Sequence, residues 1–304
     1  MPSAITRLAN RTVRVALVQM QCHLDPDTNL SDATAYIEHA AAHGADIVCL
    51  PELFLSPYFC QTEDAALFDL AQQLPGPITA HFDSLATDLG VVIIASLFEQ
   101  ATAGLYFNTA TVHDPVNGYL GKYRKMHIPD DPKYYEKFYF TPGDLGFRAF
   151  ATSKASIGVL ICWDQWFPEA ARATALHGAE ILFYPTAIGW HPDERETHGE
   201  AQHAAWHVSQ RAHAVANGCF VVSVNRTGFE PTPGTDSEGL QFWGQSFVAA
   251  PDGTLLTQAS ETETGVLLAD LDLGQIDQSR RGWPFLRDRR IDAYAPLSER
   301  YLGS

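Results

Sequence analysis

The sequence predicts an α/β protein. Short apolar runs typical of buried strands alternate along the chain with helical patterns. Several of these runs are apolar at almost every position, as expected for strands that are covered on both faces. The chain has 304 residues, of which 46% are hydrophobic, and it can therefore bury a large core. No linker, internal repeat or low-complexity segment divides it, so we expect one domain spanning residues 1–304.

The strand predictions rest on runs of apolar and β-branched residues. The first run is VRVALVQM at 13–20, and later runs follow at 45–52, 91–98, 105–113, 157–162, 179–185 and 219–226. The stretch WGQSFVAAPDGTLL, at 243–256, predicts a hairpin that turns at Pro251-Asp252-Gly253.

Helices are predicted between these strands. The first begins after a Ser31 cap and ends at Gly44, the second covers 168–178 with Pro168 at its first position, and the third covers about 200–217. Long loops of polar and aromatic residues are expected near 56–64, 126–144 and 186–200. Loops of this length beside rigid strands commonly carry function.

The last part of the chain, about 275–304, is expected to be an irregular arm. Its sequence includes RRGWPFLRDRR at 280–290. Two placements are open for such an arm: it packs on a neighbouring subunit, or it lies on the surface of its own domain.

Composition argues against several classes of partner and compartment. The formal net charge is −16, which repels nucleic acid and anionic membranes. The chain has five cysteines, an odd number, with wide spacing and no CxxC, so we expect neither a disulfide framework nor a zinc ribbon. There is no signal-peptide core and no apolar run near the roughly 20 residues that span a bilayer. The expected location is a reducing cytoplasm.

Cys162 lies where an apolar run stops, in GVLICWDQWFPEAAR at 158–172. A cysteine between a buried strand and a helix that starts near Pro168 can face a pocket beside backbone N–H groups, which favour a thiolate. The alternative is an inert apolar cysteine. Cys49 and Cys219, within or at the start of apolar strands, fit that alternative better.

Two further stretches carry polar residues at strand ends. CLPELFLSPYF, at 49–59, places Glu52 after an apolar strand, where it is either a partly desolvated base or a helix cap. GKYRKMHIPDDPKYYEKFYFTPGD, at 121–144, places Lys125 and Glu136 among Tyr and Phe rings. A basic, aromatic run of this kind occurs in nucleic-acid binders, but the interleaved Asp130, Asp131 and Glu136 argue against it.

Together these stretches resemble the nitrilase, or carbon–nitrogen hydrolase, superfamily. PELF around Glu52, GKYRKMHIP around Lys125 and GVLICWDQWFPEAAR around Cys162 have the order and separation of that family's motifs. The resemblance implies a four-layer α-β-β-α sandwich, a homo-oligomer of two or more copies, and catalysis without a cofactor. It assigns the catalytic triad to Glu52, Lys125 and Cys162, and a second glutamate, in the loop after the lysine, to Glu136.

The resemblance also implies a mechanism. Glu52 takes the proton of Cys162, whose thiolate attacks a carbonyl carbon. The oxyanion then faces Lys125 and the backbone N–H of Trp163.

A metal site is the alternative that His203 and His207 raise, because their spacing on the long helix can bind a metal ion. However, HAAWH lacks the glutamate of the HExxH metal-binding motif, and no third ligand is obvious.

Within the superfamily the sequence is most similar to the branch that cleaves N-carbamoylputrescine in polyamine synthesis. PDDPKYYEKFYFTPGD, at 129–144, is the most specific part of this similarity. The implied partner is a small cationic ureido substrate, whose ammonium needs an acceptor or an aromatic face. We expect Tyr58, Trp190 and Glu194 to bind it.

Other functions stay open from the sequence. Arg195, in the same loop as Glu194, suits a carboxylate-bearing substrate of the β-ureidopropionase type. A nitrile hydrolase is the nearest enzymatic rival. A protein of another class, either non-catalytic or using Cys162 as a redox thiol, is the remaining alternative.

Overall fold

The protein is described here by a computed structural model for residues 11–190, 193–235 and 238–303. Its strands are β1 Thr12–Gln19, β2 Ile47–Cys49, β3 Val92–Thr102, β4 Leu105–Asp114, β5 Gly118–Arg124, β6 Ala149–Ala151, β7 Ser156–Val159, β8 Ile181–Thr186, β9 Gly189–Trp190, β10 Phe220–Asn225, β11 Thr227–Pro231, β12 Gly239–Trp243, β13 Phe247–Ala249, β14 Leu255–Gln258 and β15 Gly265–Asp272. Its helices are α1 Pro26–Ala42, α2 Pro77–Leu89, α3 Glu136–Tyr139, α4 Pro168–Leu176, α5 Arg195–Asn217 and α6 Gly274–Gly282.

The strands form two large mixed sheets. The first has the order β15-β1-β2-β3-β4-β5, and the second has the order β14-β13-β10-β8-β7-β6. Each contains three neighbouring parallel strands, β1-β2-β3 in the first sheet and β10-β8-β7 in the second, with antiparallel strands at both sides. A small antiparallel sheet of β11, β12 and β9 lies apart from them. The fold is therefore mixed rather than purely parallel.

Alternate side chains along β1 show how the layers pack. Val15 and Leu17 belong to the core between the two sheets, whereas Ala16 and Val18 belong to a second core under α1 and α2. Both faces of the strand are buried, which explains its continuous apolar sequence. On the other side of the molecule, α4 and α5 pack against the second sheet. The expected four-layer α-β-β-α sandwich is confirmed.

Two helix starts were placed too late by the sequence. α1 begins at Pro26 because Asp25 caps it, accepting hydrogen bonds from the backbone N–H groups of Asp27 and Thr28. α5 begins at Arg195, about five residues before the predicted start. The predicted hairpin is confirmed, since β13 and β14 pair antiparallel across the Pro251–Gly253 turn.

The sheets bring the polar strand ends to one edge of the sandwich. β2 and β5 run in the same direction within the first sheet, so Glu52 and Lys125 both follow carboxyl ends at that edge. β7 of the facing sheet leads into Cys162, which begins a short 3-10 helix over Cys162–Trp166. A pocket at this edge can therefore take side chains from both sheets.

Among residues 11–190, 193–235 and 238–303, no helix is both long and apolar enough to cross a membrane.

Candidate active site

Three charged side chains form a buried cluster at this edge. Lys125 Nζ donates to Glu52 Oε1 at 2.8 Å and to Glu136 Oε1 and Oε2 at 2.8 and 2.6 Å. The side chains of Lys125 and Glu52 are fully buried, and that of Glu136 is 1% exposed. A buried ammonium needs such partners because it has lost its hydration. Glu136, at the start of α3, thus lies where the sequence expected it, beside Lys125.

Asn108, which the sequence analysis missed, completes the support of this cluster. Its Nδ2 donates to Glu52 Oε1 at 2.7 Å, and its backbone oxygen accepts from the N–H of Lys125 at 2.8 Å. The signal was present in the sequence, since an amide is uncommon in the middle of an apolar strand such as β4. The other carboxylate oxygen of Glu52, Oε2, is buried and has no hydrogen-bond partner in the described residues. That oxygen is free to accept a proton.

Cys162 is held in a strained backbone conformation at the end of its strand. Its φ is +40°, in the left-handed region that residues other than glycine rarely adopt. Such a residue costs about 1–3 kcal/mol and persists where the surrounding structure over-determines it, commonly at a functional site. Cys162 packs at the edge of the core between the two sheets and also lines a cavity there.

The cavity has a volume of about 470 Å³, within the range of small-molecule sites. Cys162 and Glu136 both line it, so the sulfur and the charged cluster share one space. Aromatic side chains form much of its wall, namely Tyr134, Trp163, Trp166 and Trp243. Polar side chains line it as well, namely Asp131, Glu194 and Gln202.

Burial shifts the pKa values of the cluster in opposite ways. Burial raises the pKa of Glu136 to about 7, although Lys125 opposes the rise. Burial lowers the pKa of Lys125, but Glu136, Glu52 and the Cys162 sulfur outweigh it, so the value ends above normal. The ammonium therefore stays charged.

Cys162 differs from the sequence expectation of a favoured thiolate. Burial raises its pKa well above the ordinary value, and the Glu52 carboxylate raises it further. Lys125 and a backbone hydrogen bond from Ala187 act in the opposite direction but are weaker. The resting form is a neutral thiol, so the site needs a base at the moment of attack.

The residues predicted to bind substrate separate in the structure. Glu194 lines the cavity, and Gln202 Nε2 donates to its Oε2 at 2.6 Å. Trp163 lines the cavity next to Cys162. Trp190 lies outside it, donating through Nε1 to Glu261 at 3.2 Å and packing its ring on Trp243. Trp190 therefore packs against Trp243, which lines the cavity, but does not line the cavity itself.

Tyr58 also lies elsewhere than predicted. It is fully buried, and its hydroxyl donates to Glu136 Oε1 at 2.7 Å. It is therefore behind the charged cluster and supports Glu136 instead of flanking a bound substrate. The sequence could not distinguish these positions, because the contact joins residues 78 positions apart.

The histidine pair on α5 belongs to the packing of the second sheet. The rings of His203 and His207 lie against Trp206, and His207 also stacks on Phe247 with ring centroids 4.4 Å apart. In the part of the chain that the structure describes, no group of three or more His, Cys, Asp or Glu side chains is arranged to hold a metal ion.

Similarity to known proteins extends over almost the whole chain. The carbon–nitrogen hydrolase family profile matches residues 14–281, a range that spans the whole site. The chain is 46% identical to N-carbamoylputrescine amidase of Solanum lycopersicum over 291 residues, 95% of each protein. It is 44% identical to the Arabidopsis thaliana protein of the same name, covering 94% of this chain and 95% of that one. The crystal structure of a carbon–nitrogen hydrolase from Helicobacter pylori G27 superposes with a TM-score of 0.92 at 44% identity, covering 96% of this chain and 100% of that one.

Replacing Tyr58 with Phe tests whether the Tyr58 hydroxyl lowers the pKa of Glu136. The Tyr58 hydroxyl lowers the pKa of Glu136 by stabilising its ionised form, so removing it raises that pKa above about 7. We expect the acidic limb of the kcat/KM pH profile to move up by about one unit. Activity is then reduced near neutrality and recovers at alkaline pH. Tyr36→Phe, on α1 away from the site, serves as the control, and an acidic limb that moves in neither variant contradicts the assignment.

Proposed function

The chain belongs to the carbon–nitrogen hydrolase family, and we propose that it hydrolyses N-carbamoylputrescine to putrescine, ammonia and carbon dioxide, a step in polyamine synthesis. The main support is the relatives named N-carbamoylputrescine amidase, at 44–46% identity over nearly the full chain. The cavity adds physical support, because it holds a nucleophile, a charged cluster and a carboxylate suited to a cationic substrate.

Acylation begins with proton transfer from the Cys162 thiol to Glu52, whose Oε2 has no other described partner. The thiolate attacks the ureido carbonyl carbon, and the carbonyl oxygen becomes an oxyanion. Lys125 Nζ and the backbone N–H of Trp163 stabilise that charge. Loss of one oxyanion donor typically costs about 3 kcal/mol of barrier. Collapse of the adduct breaks the carbon–nitrogen bond, and Glu52 returns its proton to the leaving nitrogen.

Deacylation reverses these roles with water as the nucleophile. Glu52 takes a proton from water, the hydroxide attacks the carbonyl of the S-carbamoyl enzyme, a thiocarbamate, and the sulfur leaves as the thiol when Glu52 returns the proton. The carbamic acid released decomposes to carbon dioxide and the second nitrogen product, which is putrescine if ammonia left first and ammonia if putrescine left first. The products are the same whichever nitrogen departs first.

Glu136 acts on this reaction through Lys125. Both of its oxygens contact Lys125 Nζ, and one also accepts from Tyr58. The ammonium is therefore held in one position throughout the cycle, and it does not have to reorganise as the oxyanion forms.

The cationic end of the substrate is assigned to Glu194. An ammonium entering an aromatic cavity needs an acceptor, and Glu194 offers a carboxylate that Gln202 holds in place. The rings of Trp163, Trp166 and Trp243 suit the four methylene groups of the diamine and also attract a cation.

A substrate ending in a carboxylate fits less well. No Arg or Lys is among the described residues that line the cavity. Arg195, which left this alternative open in the sequence, instead approaches Glu261 at 3.7 Å and the ring of Trp190. A β-ureidopropionase-type substrate would therefore meet Glu194 without a compensating cation.

The C-terminal arm is proposed to pack on a second copy of the chain. It exposes large apolar side chains in close succession: Trp283, Phe285, Ile291, Tyr294, Leu297, Tyr301 and Leu302. Exposed apolar clusters of this kind mark interaction sites. Light scattering of the full chain and of a chain ending at residue 282 tests this proposal. We expect the full chain to form a dimer or larger assembly and the shortened chain to form an assembly of fewer copies. If both chains form assemblies of the same number of copies, the arm does not hold the copies together.

A reducing cytoplasm is proposed as the location. The five cysteines are all buried free thiols, and Cys162 must stay reduced to act as a nucleophile. Measured localisation of the tagged protein tests this, and an oxidising compartment would contradict it.

Ammonia release from two ureido compounds tests the proposed reaction. We expect kcat/KM for N-carbamoylputrescine to exceed that for N-carbamoyl-β-alanine by at least about 100-fold, because only the first carries a cation for Glu194. Cys162→Ala abolishes release from both, whereas Cys219→Ala, at a core cysteine immediately before β10, retains it. Equal rates on both compounds contradict the substrate, and ammonia release by Cys162→Ala contradicts the mechanism. An aliphatic nitrile assayed alongside tests the nitrile hydrolase alternative.

Glu194→Gln tests the ammonium site. We expect KM for N-carbamoylputrescine to rise about 10- to 100-fold with a smaller change in kcat, because the charge pair is lost away from the reacting carbon. The rate on N-butylurea, which lacks the ammonium, should change little. Glu196→Gln, on the exposed first turn of α5, is the matched control. If Glu194→Gln leaves the ratio of kcat/KM for N-carbamoylputrescine to that for N-butylurea unchanged, the substrate ammonium binds elsewhere.

A further inference from the structure

Asp164 is a fully buried carboxylate that the reaction does not use. It lies two residues after Cys162, within the 3-10 helix, and none of its described contacts is with the substrate cavity. A buried carboxylate is retained only where hydrogen bonds replace its lost hydration. Its contacts therefore indicate what it holds together.

Four donors converge on this one side chain. Oδ1 accepts from the backbone N–H of His127 at 3.1 Å and lies 2.7 Å from its ring Nδ1. Oδ2 accepts from the Tyr123 hydroxyl at 2.8 Å and from the backbone N–H of Ile161 at 2.9 Å. Both oxygens are thus fully engaged.

The donors belong to the two segments that carry the reaction. Tyr123 and His127 lie two residues before and two residues after Lys125, and Ile161 immediately precedes Cys162. We propose that Asp164 is a positioning residue that fixes the Lys125 ammonium and the Cys162 sulfur relative to each other across the two facing sheets. This inference rests on the proposed roles of Lys125 and Cys162, but not on the identity of the substrate.

The backbone at Cys162 gives this role a physical reason. The left-handed φ of +40° has to be enforced by neighbouring contacts. Asp164 closes the turn that contains Cys162 through two hydrogen bonds to Ile161. Its side chain accepts from the N–H of Ile161, and its own N–H donates to the Ile161 backbone oxygen at 3.0 Å. The same carboxylate then anchors this turn to the strand that leads into Lys125.

Ring stacking also restricts the segment that follows Lys125. The ring of His127 lies parallel to that of Phe167, with centroids 3.6 Å apart and an interplanar angle of 5°. Phe167 is the residue before α4, so the segment after Lys125 is also attached to the segment after Cys162. The two catalytic segments therefore cannot shift independently while Asp164 keeps its hydrogen bonds to both of them.

An amide cannot replace the carboxylate here. Asn has one acceptor oxygen, and its NH₂ group would face a backbone N–H at either Ile161 or His127. One of these donors would be left buried without a partner. Asp164→Asn is therefore nearly isosteric but removes part of the hydrogen bonding that links the Lys125 segment to the Cys162 segment. It is a sharper probe than shortening the side chain to Ala.

The test compares folded Asp164→Asn with the unmodified chain. We expect kcat to fall at least about 100-fold while KM changes less than about three-fold, since the reacting groups are misplaced and the substrate site is intact. The rate of Cys162 alkylation by iodoacetamide, followed by peptide mass spectrometry without substrate, should change at least about five-fold. Either direction supports the proposal, because Glu52 and Lys125 act on the thiol pKa with opposite signs.

Tyr123→Phe is the milder second variant. It removes one donor to Oδ2, and we expect a five- to ten-fold lower kcat with an intermediate change in alkylation rate. Tyr119→Phe, on the same strand β5, is the matched control, because that hydroxyl has no partner among the described residues. Folding is monitored by circular dichroism.

The proposal is overturned if folded Asp164→Asn keeps both kcat and the alkylation rate within two-fold. If Asp164→Asn does not fold, Tyr123→Phe decides by the same criterion. Because alkylation needs no substrate, an incorrect substrate assignment would leave this readout intact and is distinguished from failure of the positioning role.

Discussion

The buried ammonium of Lys125 is the constraint on which the rest of the site depends. With no exposed surface, it keeps its charge only because Glu52 and Glu136 contact it directly. Removing one partner from a buried ion pair typically costs about 3–5 kcal/mol, so each carboxylate must be delivered accurately by the fold. The cluster places two carboxyl groups and one ammonium at the cavity that Cys162 lines.

A second buried ion pair supplies part of that accuracy. Arg226, on the segment after β10, is fully buried and bonds to Glu230 at 2.7 Å. Its Nη2 also donates to the backbone oxygen of Glu52 at 2.6 Å and to that of Leu53 at 3.1 Å. Glu230 in turn accepts from the backbone N–H of Tyr58 at 2.5 Å. The loop that presents Glu52 and Tyr58 to the cluster is therefore held by charges that lie outside the cavity.

The sequence predicted the parts of the site that short motifs determine. Glu52, Lys125, Cys162 and Glu136 each stand in a recognisable local pattern, and the structure brings the first two and Glu136 into direct contact and Cys162 into the same cavity. The four-layer sandwich was implied by the family resemblance, and the fully apolar strands agreed with it because such strands are buried on both faces.

The rest could not be predicted because it depends on contacts between distant parts of the chain. Arg226 lies 174 residues from Glu52, and nothing in its local sequence indicates burial. The favoured thiolate was wrong because position at a strand end says nothing about how far the surrounding side chains exclude water. Asp164 stands in the cysteine motif, but only the structure shows that it joins both sheets.

The most direct measurement is a crystal structure of Cys162→Ser soaked with N-carbamoylputrescine. We expect the ureido carbon beside the Ser oxygen, the carbonyl oxygen within about 3 Å of Lys125 Nζ, and the ammonium on Glu194. A ligand whose carbonyl points away from Lys125 would contradict the role given to the buried ammonium.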